Sequence, residues 1–150
     1  MVTSRIGLLV IILLSALACQ AQMHHSHNDG KGVADGFPAY KNVLTKVLTD
    51  SGLVNKEIKF LQMTLAPGAS DTIAHRHQCE VFIYVQEGSL VYREGSKKPV
   101  TYRQGEILHE IPYSLHTLHA NASTSEPVKL LLVFLYTTGK PTYRREYSPK

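Results

Sequence analysis

From about residue 41 onward, short apolar stretches are broken by turn residues. Apolar side chains recurring at every second position mark strands with one buried face. The pattern predicts strands at Asn42–Leu48, Ile58–Leu65, Asp71–Arg76, Val81–Gln86, Ser89–Arg93, Val100–Arg103, Ile107–Ile111, Leu115–Ala120 and Val128–Tyr136. The breaks are Asp50-Ser51-Gly52, Ala66-Pro67-Gly68, Glu87-Gly88, Glu94-Gly95-Ser96, Gln104-Gly105 and the segment Ser123–Pro127. Val43, Leu44, Val47 and Leu48 also fit helical spacing; a strand is the reading adopted there. Val128–Tyr136 is almost continuously apolar, which suits a strand covered on both faces. Many short strands with regular turns predict an all-β sandwich or barrel. The polar, basic tail after Tyr136 is expected to wrap the surface or fray.

The opposite end is different. Arg5 precedes an apolar run from Ile6 to Ala18, the layout of a secretory signal peptide. The run is shorter than the roughly 20 residues a membrane-spanning helix needs. Ala16-Leu17-Ala18 fits ordinary signal cleavage. Cys19, which follows, fits lipoprotein processing, although Ala16 stands where such signals usually carry Leu. Both routes predict an exported protein, periplasmic or an envelope lipoprotein. A lipid on Cys19 would tether it to a membrane surface without spanning, the one membrane contact expected. A Cys19–Cys79 disulfide is a third option. Residues 19–36 read as a flexible tether, and His24, His25 and His27 within it could capture metal weakly without forming the functional site. The organisation is thus a signal peptide over 1–18, a tether over 19–36, one barrel over 37–138 and a tail over 139–150.

Length and composition narrow the function. The 150 residues leave room for one domain. The 16 basic and 12 acidic residues give a net charge of +4, and the basic ones are scattered, so no nucleic-acid partner is expected. Two Cys exclude a disulfide-dense scaffold.

The candidate chemistry lies in the histidines. His75 and His77 are two apart, so on a strand both point to one face and their rings can converge on an ion. Imidazole suits Zn, Cu, Fe and Ni. Two ligands rarely suffice, and His116, at the start of another apolar strand, is the natural third.

The surrounding residues resemble the cupin superfamily. Pro67-Gly68, His75, His77, the apolar Val81-Phe82-Ile83-Tyr84-Val85 and Glu87-Gly88-Ser89 match its first motif. Gly105, Pro112, His116 and Asn121 match its second. The likeness runs from about Thr45 to Tyr136 and is strongest to small single-domain bacterial cupins. It implies a single small β-barrel of jelly-roll type, in agreement with the strand pattern. It also implies one divalent transition metal (Fe, Mn, Cu, Ni or Zn) held by His75, His77 and His116.

The family's usual fourth ligand is a Glu four residues after the second His, where this chain has Val81. Glu80 sits one residue early. Alternation would turn it away, and a tight turn or bulge would re-aim it inward as the fourth ligand. The alternatives are three His with water, or no metal. His109 is read as a rim residue and His119 as a surface residue. Tyr113 stands near a position that is often Gly and is expected to cover the cavity mouth. Arg76 is expected to point outward, and Cys79 to act as a small hydrophobe.

The resemblance implies a metal-dependent enzyme of dioxygenase, isomerase or lyase type acting on a small organic molecule. Glu80 would serve as base if it is not a ligand, and Tyr84 or Tyr92 would line the barrel. Two other readings stand beside it: a non-catalytic metal- or small-ligand-binding module of the cell envelope, and an interaction domain whose His residues are relics. Family members commonly pair through edge strands, so a homodimer is also implied.

Overall fold

The computed structural model describes residues 38–147. The signal segment, Cys19 and the His-rich tether lie outside these residues. Among the described residues eleven strands are formed: β1 (Ala39–Val47), β2 (Lys56–Leu65), β3 (Ser70–Asp71), β4 (His75–His77), β5 (Glu80–Glu87), β6 (Ser89–Glu94), β7 (Val100–Arg103), β8 (Ile107–Glu110), β9 (His116–Asn121), β10 (Val128–Thr137) and β11 (Tyr143–Arg145). One turn of 3-10 helix, Ser51–Leu53, follows Asp50, whose carboxylate accepts from the Gly52 amide at 2.8 Å.

The strands build two antiparallel sheets. One runs β1-β2-β10-β5-β8 and the other β11-β4-β9-β6-β7, with β3 paired to β9. The inner faces close on each other as a jelly-roll sandwich. Period-2 patterning decides what is inside. Along β5, Val81, Ile83 and Val85 are buried, while Phe82 and Tyr84 face outward. β10, at the centre of its sheet, contributes Val128, Leu130, Leu132 and Phe134 to the core. Its other face, Leu131, Val133 and Leu135, is half-buried rather than enclosed. Large neighbours on the same outer face, such as Phe60 and Phe82 beside Val133, cover it in place of a second layer.

The β5–β6 hairpin turns at Gly88, where φ is +79° and an added Cβ would stand 3.1 Å from the Pro127 carbonyl oxygen. Gly88→Ala is therefore expected to destabilise the protein by about 1–2 kcal/mol, from the left-handed backbone alone. An unchanged denaturant midpoint would contradict this.

The tail does not simply fray. Tyr143, Arg144 and Arg145 pair with His77, Arg76 and His75, extending the sheet past β4. Glu146 accepts from Arg76 Nε at 2.9 Å, and its amide donates to the Ala74 carbonyl at 2.8 Å. The tail, expected to wrap the surface or fray, thus adds a short strand that shields an edge of the metal-candidate strand.

Candidate metal centre

β4 is only three residues long, and its pattern is buried, half-buried, buried. His75 and His77 face the interior. Arg76 faces out, held by Glu146 and by the Tyr113 carbonyl. His116 opens β9 directly opposite His75. The three ring centres form a near-equilateral triangle of 5.1, 5.4 and 5.5 Å.

Further along β9 the ladder slips. Glu94 opposes His116 and Arg93 opposes Leu118, so Thr117 is an extra residue between them. Its hydroxyl donates to the Gly95 carbonyl at 2.7 Å, which pins the irregularity. An inserted residue reverses the alternation beyond it. His119, expected on the surface, is consequently buried on the same face as His116.

The fifth member of the cluster comes from the other sheet. Glu110 ends β8, is 1% exposed and reaches across the sandwich. Its Oε1 accepts from His119 Nε2 at 2.8 Å and lies 3.3 Å from His116 Nδ1. Its Oε2 lies 3.4 Å from His77 Nε2. Among the described residues, Oε2 is a buried side-chain oxygen with no hydrogen bond. Tyr92 OH sits 2.6 Å from His116 Nδ1, so Tyr92 lines the site as expected.

The protonation of this cluster follows from its surroundings. His75 Nδ1 is 2.7 Å from the Ile73 carbonyl, and His77 Nδ1 is 2.8 Å from the Thr142 carbonyl. A carbonyl oxygen only accepts, so both rings carry their hydrogen on Nδ1. In the neutral ring this leaves Nε2 as a lone pair. Burial lowers the His75 pKa and lowers that of His116 to about 4, favouring neutral imidazoles. For Glu110, burial pushes the pKa up. The His119 hydrogen bond and the imidazoles of His119, His116 and His77 outweigh it and bring it to about 2.

As they stand, no three His, Cys, Asp or Glu side chains among the described residues close tightly enough to hold an ion. The chemistry of the donors nevertheless fits a divalent transition metal. Backbone carbonyls that fix Nδ1–H and free Nε2 are the usual outer partners of ligating histidines. An orphaned carboxylate oxygen beside them completes a donor set suited to such an ion.

Part of this cluster borders a cavity of about 400 Å³, with His116 set behind its wall. His75, His77, His119 and Glu110 form its polar part, and Leu61, Met63, Ile83, Leu132 and Phe134 its apolar walls. Lys59 and Asp71 also line it. The Tyr143 ring stacks on His75, with centres 4.9 Å apart.

Three candidate residues lie elsewhere. Glu80 does not turn inward. β5 starts at Glu80 without a bulge, so Val81 takes the inner face and Glu80 the outer one. It pairs instead with His109 at 2.6 Å, both side chains being more than two-fifths exposed. Tyr84 is on the outer face too, 40% exposed, and does not line the barrel. Tyr113 is 61% exposed with φ +66° and is not part of the cavity lining; Tyr143 lies there instead. Cys79 is buried, and desolvation raises its thiol pKa to about 11, so it behaves as a small neutral side chain.

Sequence reasoning missed Glu110, His119 and Tyr143. The facing of His119 depends on a bulge, and Glu110 and Tyr143 depend on which strands become neighbours. None of these has a local signal.

Comparison with known proteins agrees with the fold. The family profile described as a cupin domain matches residues 61–134. No curated protein matches the chain. A conserved double-stranded β-helix protein from Klebsiella pneumoniae is 18% identical, with a TM-score of 0.56 over 77% of this chain and 89% of that one. A cupin-like protein from Thermotoga maritima is 21% identical, with a TM-score of 0.52 over 74% and 77%. A putative mannose-6-phosphate isomerase from Ralstonia eutropha is 16% identical, with a TM-score of 0.53 over 72% and 92%. Sheet order, the paired His motif on β4 and the family match lead to one assignment: the chain carries a β-barrel domain of the cupin superfamily.

Proposed function

We propose that this is an exported, metal-dependent cupin. It binds a small, largely apolar organic molecule through an oxygen donor and transforms it. The observation that carries this reading is the fixed tautomer of His75 and His77, whose free Nε2 lone pairs belong to side chains lining an apolar-walled cavity. Export rests on Arg5, the apolar run to Ala18, and Cys19.

His75, His77 and His116 would hold the ion. When bound, it would supply Lewis acidity, water activation or oxygen binding. The protein's own residues do the rest. Leu61, Met63, Ile83, Leu132 and Phe134 exclude water from the body of the ligand. That lining suits an aromatic or polyketide-like molecule better than a sugar phosphate. Lys59 offers a cation to a carboxylate or enolate oxygen. Tyr143 stacks on His75 and limits how its ring can turn.

The test is elemental analysis of the untagged full chain with His24, His25 and His27 changed to Ala. The tether then no longer competes for metal. About one transition-metal ion per chain is expected. Iron, manganese, copper or nickel directs the next assay to oxygen uptake with aromatic substrates, and zinc to hydrolysis or isomerisation. Metal binding without turnover on such a panel would reduce the protein to a binding module. No uptake of any of the five ions would overturn the proposal.

A further inference from the structure

The family's fourth donor position is occupied here by Val81, which is fully buried. Val81 is the direct cross-strand partner of Glu110. Directly paired residues stand side by side on one face, with Cβ atoms about 4.5–5.5 Å apart. A carboxylate on residue 110 therefore starts beside the place from which a Glu at 81 would have started.

The two oxygens of Glu110 are used differently. Oε1 is held by His119, whose inward facing depends on the Thr117 bulge. Oε2 has no hydrogen bond and faces His77 Nε2 at 3.4 Å. His77 has its hydrogen on Nδ1, bonded to the Thr142 carbonyl, so a neutral ring presents a lone pair toward Oε2. Two lone pairs facing each other repel unless a proton or a metal cation lies between them. A proton shared between such groups would draw them to about 2.7–2.9 Å. A separation of about 3.4 Å is instead the edge of a tetrahedron of donors roughly 2.1 Å from a common centre.

We infer that Glu110 Oε2 is the carboxylate donor of the metal site, replacing the Glu absent at position 81, with His119 as the positioning residue that holds the carboxylate by its other oxygen. The inference rests on the metal reading above. It moves the donor from one sheet strand to its neighbour while keeping it on the same inner face.

Cobalt(II) tests this, because its visible absorption reports its ligands independently of turnover. The full chain with His24, His25 and His27 changed to Ala is stripped of metal and titrated with Co²⁺. One Co²⁺ per chain is expected. Glu110→Gln should weaken binding about 10- to 100-fold or more and shift the visible band. The double variant Val81→Glu/Glu110→Gln should recover part of the affinity by returning the carboxylate to the neighbouring strand. His119→Phe should weaken binding, and His119→Gln, which keeps an N–H donor, should restore it.

Unchanged affinity and spectrum in Glu110→Gln would overturn the inference and leave the three-His reading standing. No Co²⁺ binding by the parent chain would overturn both. If Glu110→Gln fails to fold, anomalous diffraction from Co²⁺-soaked crystals of the parent decides. A peak about 2.0–2.2 Å from Glu110 Oε2 supports the inference, and a peak held by His residues alone overturns it.

Discussion

Replacing His77 by Ala lowers the affinity for a divalent transition metal by more than about 100-fold and leaves the fold in place. The figure is a lower bound. Removing an outer partner of a ligand already costs about 10- to 100-fold, and His77 is expected to be a ligand itself. The substitution removes one Nε2 lone pair and the ring that Glu110 Oε2 faces at 3.4 Å. It also frees the Thr142 carbonyl, which then needs water as its partner. The apolar core of Val81, Ile83, Leu130 and Leu132 is untouched, so the cooperative melting transition should persist. Competition against a chelator of known affinity measures the loss. An affinity within threefold of the parent would remove His77 from the site.

Metal-free protein loses stability in acid, in two stages. The His116 side chain is fully buried, and desolvation holds its pKa at about 4 against an ordinary 6.5. Between those values the unfolded chain takes up a proton that the folded chain refuses. Stability is therefore full above pH 6.5 and falls as the pH drops toward 4, by up to about 3 kcal/mol. Glu110 is shifted the other way relative to its charge, to about 2 against 4.5, by the histidines that outweigh its burial. Its stabilisation is present above pH 4.5 and is lost as the pH falls toward 2. Both stages act in the same direction. Melting temperatures in chelator should thus decline from pH 6.5 downward. A level profile between pH 7 and pH 4 would show that His116 is not held neutral. Bound metal should raise the melting temperatures and steepen the first stage, since ligated imidazoles stay unprotonated while the unfolded chain, which releases the ion, takes protons up.

Much of the architecture is local and was therefore readable. Val81-Phe82-Ile83-Tyr84-Val85 alternates, and its alternation survives in the barrel because the register shift of β5 against β10, at Gln86, lies beyond it. Gly88 marks the hairpin because a side chain there would meet the Pro127 carbonyl. His75 and His77 share a face for the same period-2 reason, even on a strand of three residues. The motif spacing was also enough to bring His116 to the same place.

The residues that escaped are those whose orientation is decided between strands. Glu80 and Glu110 are both glutamates at strand ends, one at the start of β5 and one at the end of β8. Pairing to β10 puts Glu80 on the outer sheet face, where it meets His109. Pairing of Val81 to Glu110 turns the latter inward. The Tyr143 side chain enters the site only because the polar tail finds an open strand edge at β4.

The amino-acid order by itself thus determined an all-β barrel, its turns, and three histidines able to meet. Periodicity and turn chemistry act over a few residues and need no distant partner. Only the tertiary structure decided which carboxylate faces those histidines and that a fourth imidazole joins them. Those outcomes depend on register and on one inserted residue at Thr117, and shifting either by a single position exchanges the inside of a strand for its outside.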